Sequence, residues 1–208
     1  MPFHGFPVAA LDFYDDLEAD TSKPFWEANK HIYTSSVAAP MNDLAEALSG
    51  EFGEPKVFRP YRDVRFSKDK TPYKTHQGLF FAHGPATGYY VQIGAPGVMV
   101  AAGFYHAEAD RLAALRTAID TEAHGKELER LLQKLTRSGW TVGGDTLKTA
   151  PRGWPKDHPR IELLRHKSLT VSRDYGFEDI VHSPELLDQV REHWRQATPL
   201  VDWAVAHG

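Results

Sequence analysis

The sequence predicts an α+β fold: a single domain over residues 1–208, with a mainly antiparallel sheet packed with N-terminal and C-terminal helices. Three observations lead there. Apolar residues recur at helical spacing near both ends of the chain. Between them lies a stretch in which apolar and polar residues alternate around short turns, the pattern of hairpins. Strands and helices do not alternate regularly, as a doubly wound parallel sheet requires.

Val8, Leu11, Tyr14 and Leu17 predict a short amphipathic helix ending near Asp20. A second helix is expected from about Pro24, with Trp26, Tyr33 and Val37 on its apolar face and a kink or break at Pro40. Met41, Leu44 and Leu48 continue at helical spacing to a stop at Gly50. Residues 56–66 read as a strand, and Pro60 places it at an edge or a bulge. Residues 78–83 form another apolar run. Tyr89, Val91 and Ile93, then Val98, Val100, Ala102 and Phe104, flank Ala95-Pro96-Gly97 as a β-hairpin. Leu112, Leu115 and Ile119 predict one helix and Leu128, Leu131, Leu132 and Leu135 another, separated at Gly125. Gly143-Gly144-Asp145 reads as a turn. Asp157 is placed to cap a short helix containing Pro159, Ile161 and Leu164, and a strand is expected near 168–173. Ser183-Pro184 opens a last helix, which Pro199 is expected to end.

Composition narrows the chemistry. Zero cysteines exclude a thiolate nucleophile, an iron–sulfur cluster, a thiolate zinc site and a disulfide framework. The longest apolar run, 97–105, is too short to span a membrane. Asp12, Asp15, Asp16, Glu18 and Asp20 stand where a signal peptide carries its apolar core, so the expectation is a cytoplasmic protein with no membrane partner. The eleven histidines show no ligand spacing. His106 and Asp110, four apart, are expected to share a helix face but make only two ligands, so no metal and no cofactor is implied.

Charge is unevenly placed. The net charge is −4, yet residues 56–76 carry +5 and residues 148–173 carry +5, leaving −14 on everything else. Two basic segments on an acidic body point to a local anion site where they converge, and to two solvated strips where they do not. Extended, the first segment puts Arg59, Tyr61, Asp63 and Arg65 on one side and Phe58, Arg62, Val64 and Phe66 on the other. Arginine forks match carboxylate and phosphate oxygens, and Asp63 is placed to orient one of them. The competing reading is a charged edge strand that resists aggregation. Ser67 and Lys70 form an S-x-x-K pattern, but the accompanying S-D-N and K-T-G elements are missing, so acyl-enzyme chemistry is rejected. No glycine-rich phosphate loop occurs, so phosphate would have to be held by side chains.

The order of motifs resembles a known family. Phe6-Pro7, Leu11-Asp12-Phe13, Phe25-Trp26-Glu27-Ala28-Asn29-Lys30 and Val57-Phe58-Arg59 are followed by the unbroken run 62–75. Ala150-Pro151-Arg152-Gly153, Asp157-His158-Pro159 and Leu163-Leu164-Arg165-His166-Lys167-Ser168 come later. Together they span essentially the full chain and are similar to the uncharacterised family of domain of unknown function 2461. The resemblance implies no activity and transfers no catalytic residue. It does imply that both basic segments hold signature motifs, which favours their convergence.

The leading expectation is a binder of a small anionic ligand, phosphorylated compounds included. Arg62, Asp63, Arg65, Lys70, Tyr73 and Lys74 would come from one segment, with Arg152, His158, Arg165, His166 and Lys167 from the other. In an enzyme of this kind His158 and His166 would be the acid–base groups and Asp63 an orienter. Two other classes use the same residues: a nucleic-acid binder, with affinity falling steeply with salt, and a protein-interaction module presenting its aromatics as a patch.

Overall fold

Among the described residues six strands pair in the order β1-β2-β3-β4-β6-β5 in an antiparallel sheet, and helices lead into it and close the chain, so the fold is α+β. The structure, a computed structural model, describes residues 2–65 and 70–208. The strands are β1 (Pro55–Val57), β2 (His76–Gly84), β3 (Thr87–Gly94), β4 (Gly97–Phe104), β5 (Thr141–Gly143) and β6 (Leu169–Gly176). The helices are α1 (Val8–Ala19), α2 (Lys23–Ile32), α3 (Ala39–Phe52), α4 (Ala109–Asp120), α5 (Glu122–Arg137), α6 (Ile161–Leu164) and α7 (Glu185–His207). Among the described residues, no helix is long and apolar enough to cross a membrane.

The chain gathers into two compact units, each made of several segments. The first comprises Met1–Phe81, Tyr90–Val100 and Asp174–Glu192. Its helices bury Leu11, Phe13, Tyr14, Leu17, Trp26, Val37, Met41, Leu44 and Leu48. The side chain of Ser22 accepts from the N–H of Phe25 and so caps α2, with Pro24 in the first turn, where its missing N–H costs nothing. The helix expected to kink or break at Pro40 does not end there. A π-helical stretch, Tyr33–Ala38, joins α2 to α3, and the N–H of Ala39 reaches back five residues to Thr34. Proline has no N–H for Ser36, and its ring would crowd that carbonyl; the widened turn makes room without ending the helix. α3 stops at Gly53, φ +95°, three residues beyond the expected Gly50.

Only Pro55–Val57 of the expected 56–66 strand is regular, on the sheet edge, with Lys56 opposite Phe80 in β2. Pairing resumes as a single bridge between Tyr61 and Tyr73. There the N–H of Arg62 donates to Pro72 O (2.9 Å) and the N–H of Lys74 to Pro60 O (2.8 Å). Pro60 and Pro72 therefore use only their carbonyls in the pairing, which is why prolines are tolerated on both sides of it. The Ala95-Pro96 turn of the expected β3–β4 hairpin is present, with Gly97 at φ +104° beginning β4.

The second unit comprises Ala82–Tyr89, Ala101–Arg173 and His193–Gly208. Its core includes Tyr89, Phe104, Leu115, Leu128, Leu132, Trp140, Leu164, Trp194 and Trp203. α4 and α5 are separated at Thr121 and not at Gly125, which lies inside α5. A Cβ on Gly125 would stand 2.3 Å from Ile119 O and 2.7 Å from Arg160 Nε. Gly125→Ala thus sets a helix-propensity gain of about 1 kcal/mol against overpacking that costs about 1–3 kcal/mol. Because a backbone carbonyl cannot swing away as a side-chain end can, the clash is expected to win: thermal melts should show a lower Tm for the variant.

Pro199 does not end α7, which runs on to His207. Leu200, Val201, Trp203 and Ala204 are all buried beyond it. Burying each large apolar side chain is worth about 1.5–3 kcal/mol, which together exceed the roughly 3 kcal/mol cost of one interior proline. Arg111 of α4 fastens this unit without a carboxylate. Its guanidinium donates to the carbonyl of Pro85, to Thr87 Oγ1 (2.6 Å) and to Ala204 O (3.2 Å). β5 takes in Gly143 of the expected Gly143-Gly144-Asp145 turn and pairs with β6 through Thr141 opposite Ser172. The short helix α6 is not capped by Asp157. His158 Nδ1 accepts the N–H of Arg160 (3.0 Å), the residue just before α6, and among the described residues no side chain caps the helix itself.

Candidate functional site

In the first unit the basic segment is held by a buried aromatic cluster. Trp26 of α2 is 1% exposed and stacks on Tyr73 at 4.4 Å with an interplanar angle of 9°. Tyr61 leans on both rings, 5.7 Å from each. Phe13 and Tyr33 close around Trp26, at 5.9 and 5.0 Å. Beside this cluster, buried Gln77 accepts the hydroxyl of Tyr33 at Oε1 (2.6 Å) and donates from Nε2 to Phe58 O (2.5 Å) and Gly78 O (3.1 Å). A satisfied buried amide thereby fixes the backbone at Phe58. Burial raises the Tyr33 hydroxyl to about 12, so it stays a donor.

Tyr61 and Tyr73 occupy one face of their bridge, so their neighbours Arg62 and Lys74 leave on the other. Arg62 and Lys74 stand diagonally across the pairing, a separation of about 7–8 Å that long side chains readily span. Lys74 Nζ lies 5.3 Å from the centroid of the Phe58 ring and Lys56 Nζ 5.4 Å from it. Tyr90 supports the same ring at 6.3 Å. Among the described residues, Lys56, Arg59 and Lys74 form no ion pair with a carboxylate. Burial, then the charges of Arg59 and Arg62, holds the Lys74 amine below its ordinary value. Burial, then Lys74 and Arg62, does the same to His76. The charges of Arg59 and Arg62 thus act on Lys74, and those of Lys74 and Arg62 on His76.

Further along, Asp63 and Arg65 pair in parallel, Nε to Oδ1 at 3.0 Å and Nη2 to Oδ2 at 2.7 Å, so Asp63 orients Arg65 on the surface. That pairing holds the Asp63 carboxyl below its usual range. Lys70 Nζ donates to Val64 O (2.8 Å). Tyr73 is buried in the stack rather than presented to solvent. Ser67 and Phe66, part of the motifs read from the sequence, lie outside the described residues.

The second basic segment belongs to the second unit, and most of its cations are engaged there. Arg165 donates from Nε to Leu147 O (2.7 Å), from Nη1 to Glu162 (3.0 Å) and from Nη2 to Lys148 O (3.4 Å). Lys167 faces Asp145 at 4.0 Å. Arg160, buried, reaches Glu122 (2.7 Å) and Glu129 (3.2 Å). Hydrogen bonds from Lys126, then from Arg160, bring Glu122 down to about 2. Arg152 lies exposed on the loop before α6.

The two histidines differ. His158 has Nδ1 occupied by the Arg160 N–H, so Nε2 carries the proton to Asp120 Oδ1 (2.9 Å). Both ring nitrogens are thus engaged within the unit. His166 donates from Nδ1 to Ser168 O (2.8 Å), which leaves its lone pair on Nε2. His106 precedes α4 and pairs with Glu108 (3.1 Å) instead of sharing a helix face with Asp110. Among the described residues no group of three or more His, Asp or Glu is placed to hold a metal ion.

Sequence reasoning left Lys56, Arg59 and His76 out of the site. Pairing across the Tyr61–Tyr73 bridge brings Arg59 into reach of Lys74, which local spacing does not show, whereas His76, two residues after Lys74, was legible as its neighbour. The family model described as "Conserved hypothetical protein (DUF2461)" matches residues 9–203. No curated protein matches the chain.

Proposed function

We propose that this chain, which belongs to the DUF2461 family of conserved hypothetical proteins, binds a small anion on the basic face of its first unit. Arg59, Arg62 and Lys74 are the principal contacts, with Lys56 and His76 beside them. The observation that carries the reading is Lys56 and Lys74 over the one Phe58 ring, with Arg59 and Arg62 near enough to act on Lys74: burial first, and then neighbouring cations, hold both Lys74 and His76 low. Like charges held this close cost free energy, and an oxyanion placed between them returns it. Pro60, Pro72 and the stack beneath hold the backbone in place before binding, which lowers the entropy lost when a ligand orders it. A small anion fits better than a polyanion, because the chain outside the two basic segments carries −14 and repels an extended phosphate backbone.

A thermal-shift series with inorganic phosphate, sulfate, citrate and short oligonucleotides tests this. Phosphate or sulfate at 100-fold its Kd should stabilise the wild type by about 2.7 kcal/mol. The shift should vanish in Arg62→Ala and persist in Arg165→Ala, whose guanidinium is engaged by Glu162 and two carbonyls. No shift with any small anion refutes the reading. A shift from oligonucleotides alone, collapsing as salt rises, would make this a nucleic-acid binder instead.

A further inference from the structure

The basic face carries a second feature that a bare anion leaves unused: aromatic surface beside the cations. In β2 and β3 the side chains of Gln77, Leu79, Phe81, Val91 and Ile93 are buried, so strand alternation sends Tyr90 and Gln92 to the other side of the sheet. Phe58 meets Tyr90 there, with ring centroids 6.3 Å apart and planes 56° apart, and both rings are only partly buried. Gly78 has no side chain, and the Tyr90 hydroxyl lies over it, 2.5 Å from where a Cβ would stand. That hydroxyl donates to Gln92 Oε1 (2.9 Å), which leaves Gln92 Nε2 without a partner among the described residues. We infer that the anion bound here is a phosphate ester with a planar heteroaromatic ring, of the nucleoside monophosphate kind: Lys56 and Lys74 hold its phosphate, and its ring stacks on Tyr90. This rests on the anion-binding reading above and narrows its ligand class.

The two lysines act as cations. Each Nζ lies over the Phe58 ring, 5.4 and 5.3 Å from its centroid, and the negative face of the ring favours the ammonium form. Neither pairs with a carboxylate among the described residues, so both charges are available to phosphate oxygens. With ammonium groups at its faces, Phe58 offers an arriving ring its edge, while Tyr90 offers a face. Successive steps of 5.3 Å from Lys74 Nζ to Phe58 and 6.3 Å on to Tyr90 suit a phosphate and a base joined by one pentose. Burial pushes the Tyr90 hydroxyl up to about 12, so it stays protonated and keeps Gln92 Oε1 engaged. Gln92 Nε2 then donates to an acceptor on the base edge, which every base carries. A single donor does not choose among bases, so ring and phosphate together define the class.

Calorimetric titrations with adenosine monophosphate, inorganic phosphate and ribose phosphate test this. Adenosine monophosphate should bind about tenfold tighter than inorganic phosphate, the gain of one stacked base, and sulfate should compete with it. Ribose phosphate should bind no tighter than inorganic phosphate, which assigns the gain to the ring and not to the sugar. Tyr90→Leu, with folding checked by near-ultraviolet circular dichroism, should erase the preference for adenosine monophosphate. Where that variant does not fold, Gln92→Ala carries the test: it removes the donor and no part of the core, and the preference should fall several-fold. Adenosine monophosphate no tighter than inorganic phosphate, ribose phosphate as tight as adenosine monophosphate, or a preference kept in folded Tyr90→Leu overturns this inference alone. Absence of binding by phosphate, sulfate and adenosine monophosphate alike removes the anion site as well. A short oligonucleotide bound far tighter than adenosine monophosphate, and released as salt rises, overturns both in favour of nucleic acid.

Discussion

Gly97→Ala is expected to leave too little folded protein to measure at 37 °C, or to lower stability by roughly 4 kcal/mol or more, a size confined to a few mechanisms. Gly97 begins β4 at φ +104°, a region that side chains with a Cβ rarely enter. Its missing Cβ would lie 1.8 Å from Gly176 O and 2.3 Å from Gly176 C, inside the backbone at the end of β6. Dihedral strain alone is worth about 1–2 kcal/mol. The clash adds to it, because two backbones would have to part. Urea denaturation of the variant beside the wild type checks this, and a loss below 1 kcal/mol would mean that Gly97 and Gly176 are not in such contact.

Trp26→Ala should be the most damaging side-chain truncation, costing about 3–5 kcal/mol. The ring is fully buried and touches Phe13, Tyr33, Tyr61 and Tyr73. The loss reaches the candidate site as well: without Trp26 under them, Tyr61 and Tyr73 no longer hold the bridge that sets Arg62 diagonally across from Lys74. Sulfate stabilisation should therefore shrink in Trp26→Ala even where the protein still folds. Trp26→Phe behaves differently. The indole Nε1 is buried with no hydrogen-bond partner among the described residues, so phenylalanine removes an unpaid desolvation cost along with some ring. It should retain most of the stability and the sulfate effect, as read by chemical denaturation with and without sulfate.

The helices near both ends and the β3–β4 hairpin were legible because local periodicity and burial agree there, as in Leu11, Tyr14 and Leu17 or in Val91 and Ile93. Prolines misled because their local cost was outweighed elsewhere. Pro40 is absorbed by a widened turn, Pro199 by the burial of the residues that follow, and Pro60 by a pairing that needs only its carbonyl. Gly125 looked like a boundary, yet its missing side chain makes room for Arg160, a contact that sequence spacing cannot show. The two basic segments were legible as charge runs; how each cation is used was not. Glu162 three residues before Arg165 was the one local clue that a cation of the second segment is spent within its own unit. For the first segment the decisive contact is Tyr61 with Tyr73, and nothing local announces it.

A calorimetric titration with sulfate, whose own charge does not change near neutrality, tests the central claim most directly. His76 is held below its ordinary pKa by burial and by Lys74 and Arg62, so its unfolded form binds the proton more readily. Stability from this group is present above about pH 6.5 and is lost as pH falls through its depressed folded value. A bound dianion favours the imidazolium and raises that value. The account predicts one sulfate per chain, tighter binding from about pH 8 to about pH 5.5 with proton uptake, a flat profile in His76→Gln and no binding in Arg62→Ala. Sulfate that fails to bind, or that binds Arg62→Ala as well as the wild type, would contradict it.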